Sequence, residues 1–266
     1  MLNNRIFLLA FMLLLVSCAG SENSGRGVKP QLAVTEDSSC VMIEAALPVS
    51  GVWDADWIHR YASDVDMLAA GAASDSRSDI DVLFFGSSSI RLWKGLDEMM
   101  APLIVVNRGY GGATVRDILV NYDKLMAHYS PKAFVIFCDN DICGNEILDL
   151  TAVGVLDHYR LLFDRLAADY PGVPVYFLSW KYSECRASLR TAQKLVNDIM
   201  RDYASSSSQV TFVDVNSTLL MPDGSINRNL FESDDLHINR EGYLLWTSVL
   251  KPYLLETCKK ADSNVK

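Results

Sequence analysis

The sequence is short of positive charge and of histidine. Lys and Arg number 24 against 33 Asp and Glu, the formal net charge is −9 at pH 7, and no basic cluster stands out. This balance argues against nucleic acid as a partner and against electrostatic docking on anionic lipid. With 4 histidines and no Cys-x-x-Cys or close His/Cys grouping, the sequence gives no indication of a metal site.

Long apolar runs are also lacking, and the one at the N-terminus is too short to span a bilayer. Arg5 precedes the apolar residues 6–16, and the run ends in Leu15-Val16-Ser17-Cys18-Ala19-Gly20. A charged start, an apolar middle and a small-residue end are typical of an export signal. We therefore predict a signal peptide over residues 1–17.

The end of this signal resembles the lipobox of bacterial lipoproteins, in which the cysteine becomes the lipidated first residue of the mature chain. The resemblance implies lipidation at Cys18 and a protein held in the cell envelope by acyl chains. Ala19 after the cysteine, where no aspartate stands, favours the outer membrane, with the protein facing the periplasm. The alternative is an ordinary signal peptide in which Cys18 is incidental.

Composition divides the rest of the chain. Residues 18–50 are rich in Ser, Gly, Pro and charge without a sustained period, which is typical of a tether. Residues 51–258 are expected to form one domain and residues 259–266 a C-terminal tail. Half of all residues are apolar, enough for a large core in a single α/β domain.

The five cysteines after residue 18 lie in a chain that we predict to be exported, and the periplasm permits disulfides. Our expected pairs are Cys40 with Cys258, near the two ends of the domain, and Cys143 with Cys185, in loops after adjacent strands. Cys138 is expected to stay buried and reduced.

Nearly continuous apolar runs recur along the domain and predict strands that are buried on both faces. The five runs are Val82–Phe85, Leu103–Val106, Ala133–Cys138, Val173–Leu178 and Val210–Val213. Between them, apolar residues at helical spacing predict helices. Right-handed crossovers place helices on both faces of a parallel sheet. The sequence therefore predicts an α/β fold, a three-layer αβα sandwich around a five-stranded parallel sheet.

Three helix positions can be predicted more closely. Thr114 with Asp117 three residues later is typical of a capped helix start. The last helix is predicted to begin near Asn239. Apolar residues between Trp53 and Ala70 recur at roughly helical spacing, and predict a helix at the edge of the domain.

Four polar segments follow predicted strands, where the carboxyl ends of a parallel sheet form a ligand-binding crevice. In chain order they are Gly86-Ser87-Ser88-Ser89, Asn107-Arg108-Gly109-Tyr110-Gly111-Gly112, Cys138-Asp139-Asn140-Asp141 and Asp234-Asp235-Leu236-His237. Each segment alone is common in turns. Their order and their placement at strand ends favour a site.

Together the four segments resemble the SGNH hydrolases, also called the GDSL esterase family. The resemblance implies a flavodoxin-like fold and a serine esterase. It implies a catalytic triad of Ser88, Asp234 and His237, and an oxyanion hole formed by Ser88, Gly112 and Asn140.

The resemblance covers roughly Val82 to Leu254, and the sequence departs from the family in two places. Ser87 stands where the family has aspartate, and Cys138 stands where the third segment usually has glycine. Ser87 is expected to alter hydrogen bonding under the nucleophile turn. Cys138 is expected to narrow the crevice.

The chemistry of these residues can be argued without the family. A hydroxyl is a poor nucleophile near neutral pH, so Ser88 needs a base, and a neutral His237 can take its proton. Asp234 can accept the other ring N–H and fix the tautomer. The backbone N–H groups of Ser88 and Gly112 and the Asn140 amide can donate to the developing oxyanion. The reaction requires no metal or organic cofactor.

Several alternatives stay open from the sequence. The predicted substrates are small-acyl esters, such as acetyl esters on carbohydrate. A lipase or lysophospholipase at the membrane is the enzymatic alternative, and a non-catalytic envelope protein that binds glycan or protein is the other. Ser89 is the second candidate nucleophile. Side chains given a weaker case for substrate contact are Arg91, Arg108, Trp180, Lys181, Tyr182 and Arg186.

Overall fold

Five parallel strands form the sheet at the centre of the computed structural model, which describes residues 59–145 and 147–264. The strands are β1 (Asp79–Gly86), β2 (Val105–Gly109), β3 (Ser130–Phe137), β4 (Val175–Leu178) and β5 (Val210–Val213). Their order in the sheet is β2-β1-β3-β4-β5. Each strand overlaps one of the predicted apolar runs, so the predicted parallel sheet is confirmed.

Helices connect the strands. In chain order they are α1 (Ala62–Ser74), α2 (Ser88–Arg91), α3 (Leu96–Met100), α4 (Val115–Val120), α5 (Tyr122–Met126), α6 (Ala152–Asp169), α7 (Arg190–Ser206) and α8 (Arg240–Asn264). Short 3₁₀ helices lie at Glu184–Leu189, Ser217–Leu219 and Arg228–Leu230. Within residues 59–145 and 147–264, none of the helices has the length and apolar character needed to cross a membrane.

The sheet has a hydrophobic core on each face, because alternate residues of a strand point to opposite sides. Leu83, Phe85 and Phe134 pack with residues of α1 and α4 to α7. Phe84 and Phe137 pack on the other face with α3 and α8. This arrangement confirms the predicted three-layer sandwich.

The predicted helix boundaries can now be compared. Thr114 and Asp117 form a reciprocal capping box at the start of α4, in which the Thr114 side chain accepts from the Asp117 N–H and the Asp117 carboxylate accepts from the Thr114 N–H. α8 begins one residue after Asn239. The helix predicted from Trp53 to Ala70 corresponds to α1, which starts at Ala62. Residues 51–58, like the predicted signal peptide, tether and Cys18, lie outside the described ranges.

The cysteines do not pair as predicted. Cys143 and Cys185 are both free thiols, so the predicted disulfide between them is wrong. Their loops have different anchors, because the Cys143 N–H donates to the Asp149 carboxylate whereas the Cys185 N–H donates to the carbonyl of Asp235. Cys138 is buried and reduced, as predicted.

Cys258 is also a free, buried thiol, against its predicted pairing with Cys40, a residue outside the described ranges. It lies on α8, where its sulfur faces the carbonyl oxygen of Asp81 at 4.0 Å.

Candidate active site

The turn after β1 presents one serine of three to the cleft. Gly86 has a φ of 134°, and a Cβ there would lie 2.0 Å from the carbonyl oxygen of Phe137, so only glycine fits. The Ser87 N–H donates to that same oxygen over 2.9 Å. Ser87 and Ser89 are buried at 0% and 1% exposure, whereas Ser88 is partly exposed at the start of α2. Ser88 is therefore the serine that a ligand can reach.

Tyr243 of α8 holds this turn in place. The Tyr243 hydroxyl donates to the carbonyl of Ser89 over 2.8 Å. The Tyr243 ring stacks on Trp93, with centroids 5.0 Å apart. The turn that carries Ser88 is thus fixed by a residue more than 150 positions later in the chain.

His237 and Asp234 come from one loop that precedes α8. Asp234 Oδ1 accepts the backbone N–H groups of Leu236 and His237, at 3.0 and 2.9 Å. The other carboxylate oxygen lies 2.5 Å from His237 Nδ1, and His237 Nε2 lies 2.9 Å from Ser88 Oγ. The three side chains therefore form one hydrogen-bonded row.

The charge on Asp234 determines the direction of these hydrogen bonds. Burial acts to raise the Asp234 pKa, but hydrogen bonds from the His237 and Leu236 N–H groups and from the His237 ring lower it to about 2. An ionised carboxylate can only accept, so the proton of a neutral His237 lies on Nδ1. Nε2 is then free to accept the Ser88 hydroxyl proton.

Gly112, in the loop after β2, adopts a left-handed conformation with a φ of 74°. Its carbonyl oxygen accepts the Tyr61 hydroxyl over 2.9 Å, and a Cβ on Gly112 would lie 2.4 Å from that hydroxyl oxygen. Among the described residues, neither the Gly112 N–H nor the Ser88 N–H has an acceptor. Both groups can therefore donate to a ligand.

Asn140 follows β3, and its amide is held on both sides. Its Nδ2 donates to the Ala113 carbonyl over 2.9 Å, which leaves one N–H for another acceptor. Its Oδ1 accepts from Arg186 Nη2 over 2.6 Å. The same Ala113 carbonyl accepts the Cys138 thiol at 2.8 Å.

Cys138 therefore does not narrow the crevice, contrary to our expectation. The residue has 0% exposure and lies in the core, where its thiol contacts the Ala113 carbonyl that also binds Asn140. Burial raises the pKa of this thiol, so it stays protonated. Ser87, the other departure, has a buried Oγ without a hydrogen-bond partner in the described part of the chain.

A buried ionic cluster lies behind Asn140. Lys181 Nζ is 3.0 Å from Asp139 Oδ2, and Arg186 Nη1 is 3.3 Å from the same oxygen. The side chains of Asp139, Lys181 and Arg186 are 3%, 2% and 10% exposed. Burial acts to raise the Asp139 pKa, but the two cations outweigh it and lower the pKa below its usual value.

This cluster was not predicted from the sequence, in which Lys181 and Arg186 are only weak candidates for substrate contact. No pattern in the sequence distinguishes a buried cation in a loop from a solvated one. The only available signal was that both follow β4, whose carboxyl end lies beside that of β3.

Other weak candidates have structural roles. Arg108 is 2% exposed and donates to the carbonyls of Leu125 and Lys124. Trp180 has 0% exposure and exchanges backbone hydrogen bonds with the side chain of Asn197. Neither residue is placed to contact a ligand.

Two cavities are lined by the residues described above. One of about 220 Å³ is lined by Gly112 and Asn140 together with Tyr61 and Arg186. The other, of about 460 Å³, is lined by Asp234 and His237 and by further residues before α8. Within the described ranges, no three His, Cys, Asp or Glu side chains are grouped to hold a metal ion.

Comparison with known proteins identifies the family. Residues 66–245, more than half of the chain, match the model of the GDSL-like Lipase/Acylhydrolase family. The chain belongs to this family. It is accordingly an ester hydrolase, and the resemblance seen in the sequence is confirmed. A comparison with curated protein sequences gave no significant match.

Solved structures share the fold of this GDSL-like hydrolase at low sequence identity. A Bacteroides fragilis protein described as an acylhydrolase is 21% identical, with a TM-score of 0.63 over 77% of this chain and 99% of that chain. A GDSL-like lipase from Bacteroides thetaiotaomicron is 18% identical, with a TM-score of 0.59 over 75% and 97%. A variant of an acetyl-xylooligosaccharide esterase from Geobacillus is 15% identical, with a TM-score of 0.55 over 66% and 95%.

Proposed function

We propose that this hydrolase acts through a covalent acyl-enzyme formed on Ser88. His237 Nε2 takes the Ser88 proton as Oγ bonds to the carbonyl carbon of the ester, and then gives that proton to the departing alcohol. Water, activated by the same imidazole, releases the acid and regenerates Ser88. Asp234 keeps the imidazole oriented and stabilises its cationic form. The hydrogen-bonded row of these three side chains is the observation that carries the proposal.

The oxyanion of the tetrahedral intermediate is proposed to bind the N–H groups of Ser88, Gly112 and Asn140. The N–H groups of Ser88 and Gly112 have no acceptor among the described residues, and Asn140 has one amide hydrogen beyond the one given to Ala113. Such preorganised donors contribute to catalysis because they do not need to reorient as charge develops.

The proposed substrates are esters of short acyl groups, acetyl esters on carbohydrate in particular. The cavity beside Gly112 and Asn140 measures about 220 Å³, below the roughly 300 to 1,000 Å³ of a typical ligand pocket. A cavity of this size favours a short acyl group over a long one. The structurally similar acetyl-xylooligosaccharide esterase supports this class of substrate.

A lipase or lysophospholipase is the second candidate, and one observation favours it. Ile147 is 85% exposed, next to Leu148, which lines that cavity. Rates on nitrophenyl esters of increasing acyl length separate the two candidates. We expect the highest kcat/KM with acetate or propionate, and a maximum at eight carbons or more would favour the lipase.

Labelling by a fluorophosphonate probe tests the nucleophile and also separates the enzyme from a non-catalytic binding protein. We expect the wild type to be labelled on the peptide that contains Ser88. Ser88→Ala should lose both labelling and hydrolysis, whereas Ser87→Ala and Ser89→Ala should retain them. An unlabelled wild type, or label on Ser89, would refute the proposed role.

We also propose that Cys18 carries a lipid anchor that holds the enzyme in the cell envelope, on the outer membrane facing the periplasm. The support is the signal-like residues 1–17 and the lipobox-like end of that segment. Cys18→Ser should move the protein from the membrane fraction to the soluble periplasmic fraction. A variant that stays in the membrane fraction would contradict the anchor.

A further inference from the structure

Arg186 is a buried cation that forms a hydrogen bond with Asn140 of the proposed oxyanion site. Its Nη2 donates to Asn140 Oδ1 over 2.6 Å, and its Nη1 donates to the backbone carbonyl of Asp139 over 3.0 Å. The two bonds hold one guanidinium against consecutive residues. Arg186 belongs to the 3₁₀ helix after β4, so this contact joins two separate loops.

The charged side chains behind Asn140 carry a net positive charge. Arg186 and Lys181 provide two cations against the single carboxylate of Asp139, and all three side chains are nearly inaccessible to water. Charges in such a site are weakly screened, so they act strongly on neighbouring dipoles. The amide of Asn140 is the polar group that Arg186 contacts on the cleft side.

From these contacts we propose that Arg186 is a positioning residue that polarises and orients the Asn140 amide for oxyanion binding. A cation bonded to Oδ1 draws electron density from the amide nitrogen, which makes its N–H groups stronger donors. It also prevents the amide from flipping, because Oδ1 must face the guanidinium. One N–H then meets the Ala113 carbonyl, and the other remains for the substrate oxygen.

This inference rests on the proposed function, because it assigns Arg186 a part in the same hydrolysis. It differs from a role in substrate binding. Arg186 also lines the small cavity, and a guanidinium that contacted the substrate would act mainly on KM. A residue that acts through the oxyanion changes kcat, because the negative charge develops only in the transition state.

A double-mutant cycle on nitrophenyl acetate tests the proposal. We expect Arg186→Met to lower kcat about 10-fold with KM within about twofold, and Asn140→Ala to lower kcat about 100-fold. The double variant should match Asn140→Ala within about twofold, because the arginine then has no amide to act on.

Arg190→Met is the matched control. This substitution removes the same charge four residues later in the chain. The Arg190 guanidinium donates to the Gly224 carbonyl on the surface and not to Asn140. The control should leave kcat and KM within about twofold of the wild type. The proposal would be overturned if the loss of kcat in the double variant equalled the product of the two single losses. A rise in KM at constant kcat for Arg186→Met would also overturn it.

Arg186→Lys keeps the buried charge and provides a second measurement that does not depend on activity. The side-chain amide signals of Asn140 in ¹⁵N-labelled protein, assigned by their loss in Asn140→Ala, should shift in Arg186→Lys and stay fixed in Arg190→Met. Unchanged signals in Arg186→Lys would refute the contact. A wild type that neither hydrolyses esters nor labels at Ser88 would instead refute the proposed function, whatever these signals do.

Discussion

The side of the cleft that carries Ser88, His237 and Asp234 differs from the side that carries Gly112 and Asn140 in how much water reaches it. The Asp234 side chain is 48% exposed and that of His237 is 21% exposed. Behind Asn140, the Asp139 and Lys181 side chains are 3% and 2% exposed. One side is a row at the surface, and the other is supported by buried charges.

The two sides also differ in how far apart their partners lie in the sequence. Asp234 and His237 are three residues apart, and Ser88 contacts His237 from a distant part of the sequence. Asn140 depends on Ala113 and on Arg186, from two other loops. Two of the three members of the exposed row therefore come from one loop, whereas the side with Gly112 and Asn140 requires the packing of several elements.

The largest effect should come from the carboxylate of the exposed row. Asp234→Asn keeps an oxygen for the Leu236 and His237 N–H groups but can donate to His237 Nδ1, which favours the wrong tautomer. We expect kcat to fall about 10³- to 10⁴-fold. Steady-state kinetics with nitrophenyl acetate measures this loss.

Asp235→Asn is the control for that variant. It removes the same charge from the neighbouring residue, whose carboxylate binds Arg228 on the surface. We expect a change within about threefold, as for most surface substitutions. Equal losses at Asp234 and Asp235 would mean that the general charge of the loop, and not its geometry, supports activity.

An intermediate effect is expected on the oxyanion side. Gly112→Ala strains a backbone with a φ of 74° and places a Cβ 2.4 Å from the Tyr61 hydroxyl. Displacement of the Gly112 N–H should lower kcat by about 10- to 100-fold. The complete loss of one oxyanion donor typically lowers kcat by about 100- to 1,000-fold. Kinetics in the Tyr61→Phe background should recover part of the loss, because the hydroxyl is then absent.

Gly111→Ala separates this effect from a general intolerance of the loop. A Cβ at Gly111 would lie 3.4 Å from its nearest neighbour, the Arg91 side chain, which can move. Its kcat should stay within about threefold of the wild type. A loss equal to that of Gly112→Ala would contradict the specific role of Gly112.

The smallest effect concerns stability and pH. Burial raises the Asp141 pKa to about 7, although the Val115 N–H and Arg116 act to lower it. The folded protein thus holds a proton that the unfolded chain has released above about 3.8. The contribution of Asp141 is complete below that value and is lost as pH rises toward 7, by at most about 1.4 kcal/mol per pH unit.

Urea unfolding between pH 4.5 and 8 tests this expectation. The decline in the free energy of unfolding across that range should be smaller in Asp141→Asn than in the wild type. Asp234 behaves in the opposite way, because its pKa is lowered to about 2 and its contribution is lost only in acid, below about 3.8. Identical slopes in the wild type and Asp141→Asn would refute the raised pKa.

Much of the fold, and part of the candidate site, could be predicted from the sequence. The strands are apolar runs that must be buried on both faces, and their order along the chain determines where Ser88, Asn140 and His237 lie at the sheet edge. The Asp234–His237 pair is local, so its spacing was enough to predict contact. What joins the two sides is the common edge of a parallel sheet.

The rest depends on contacts between segments that are distant in the sequence. Arg186 and Asn140 are 46 residues apart, and nothing in the chain around Arg186 indicates that it is buried beside an amide. The prediction that the Cys138 side chain narrows the crevice was wrong for a related reason. The residue follows the last residue of β3, and its position in the sequence did not show that it points into the core.

The anchoring of the nucleophile turn by Tyr243 has a consequence for the timing of activity. Ribosomes make α8 after all five strands of the sheet, and Tyr243 of this helix contacts a residue made some 150 positions earlier. A chain interrupted before His237 contains Ser88, Gly112 and Asn140 but lacks both the proposed base and the support for the turn that carries Ser88. We therefore expect no hydrolysis from a fragment that ends before His237, even though it contains Ser88 and Asn140.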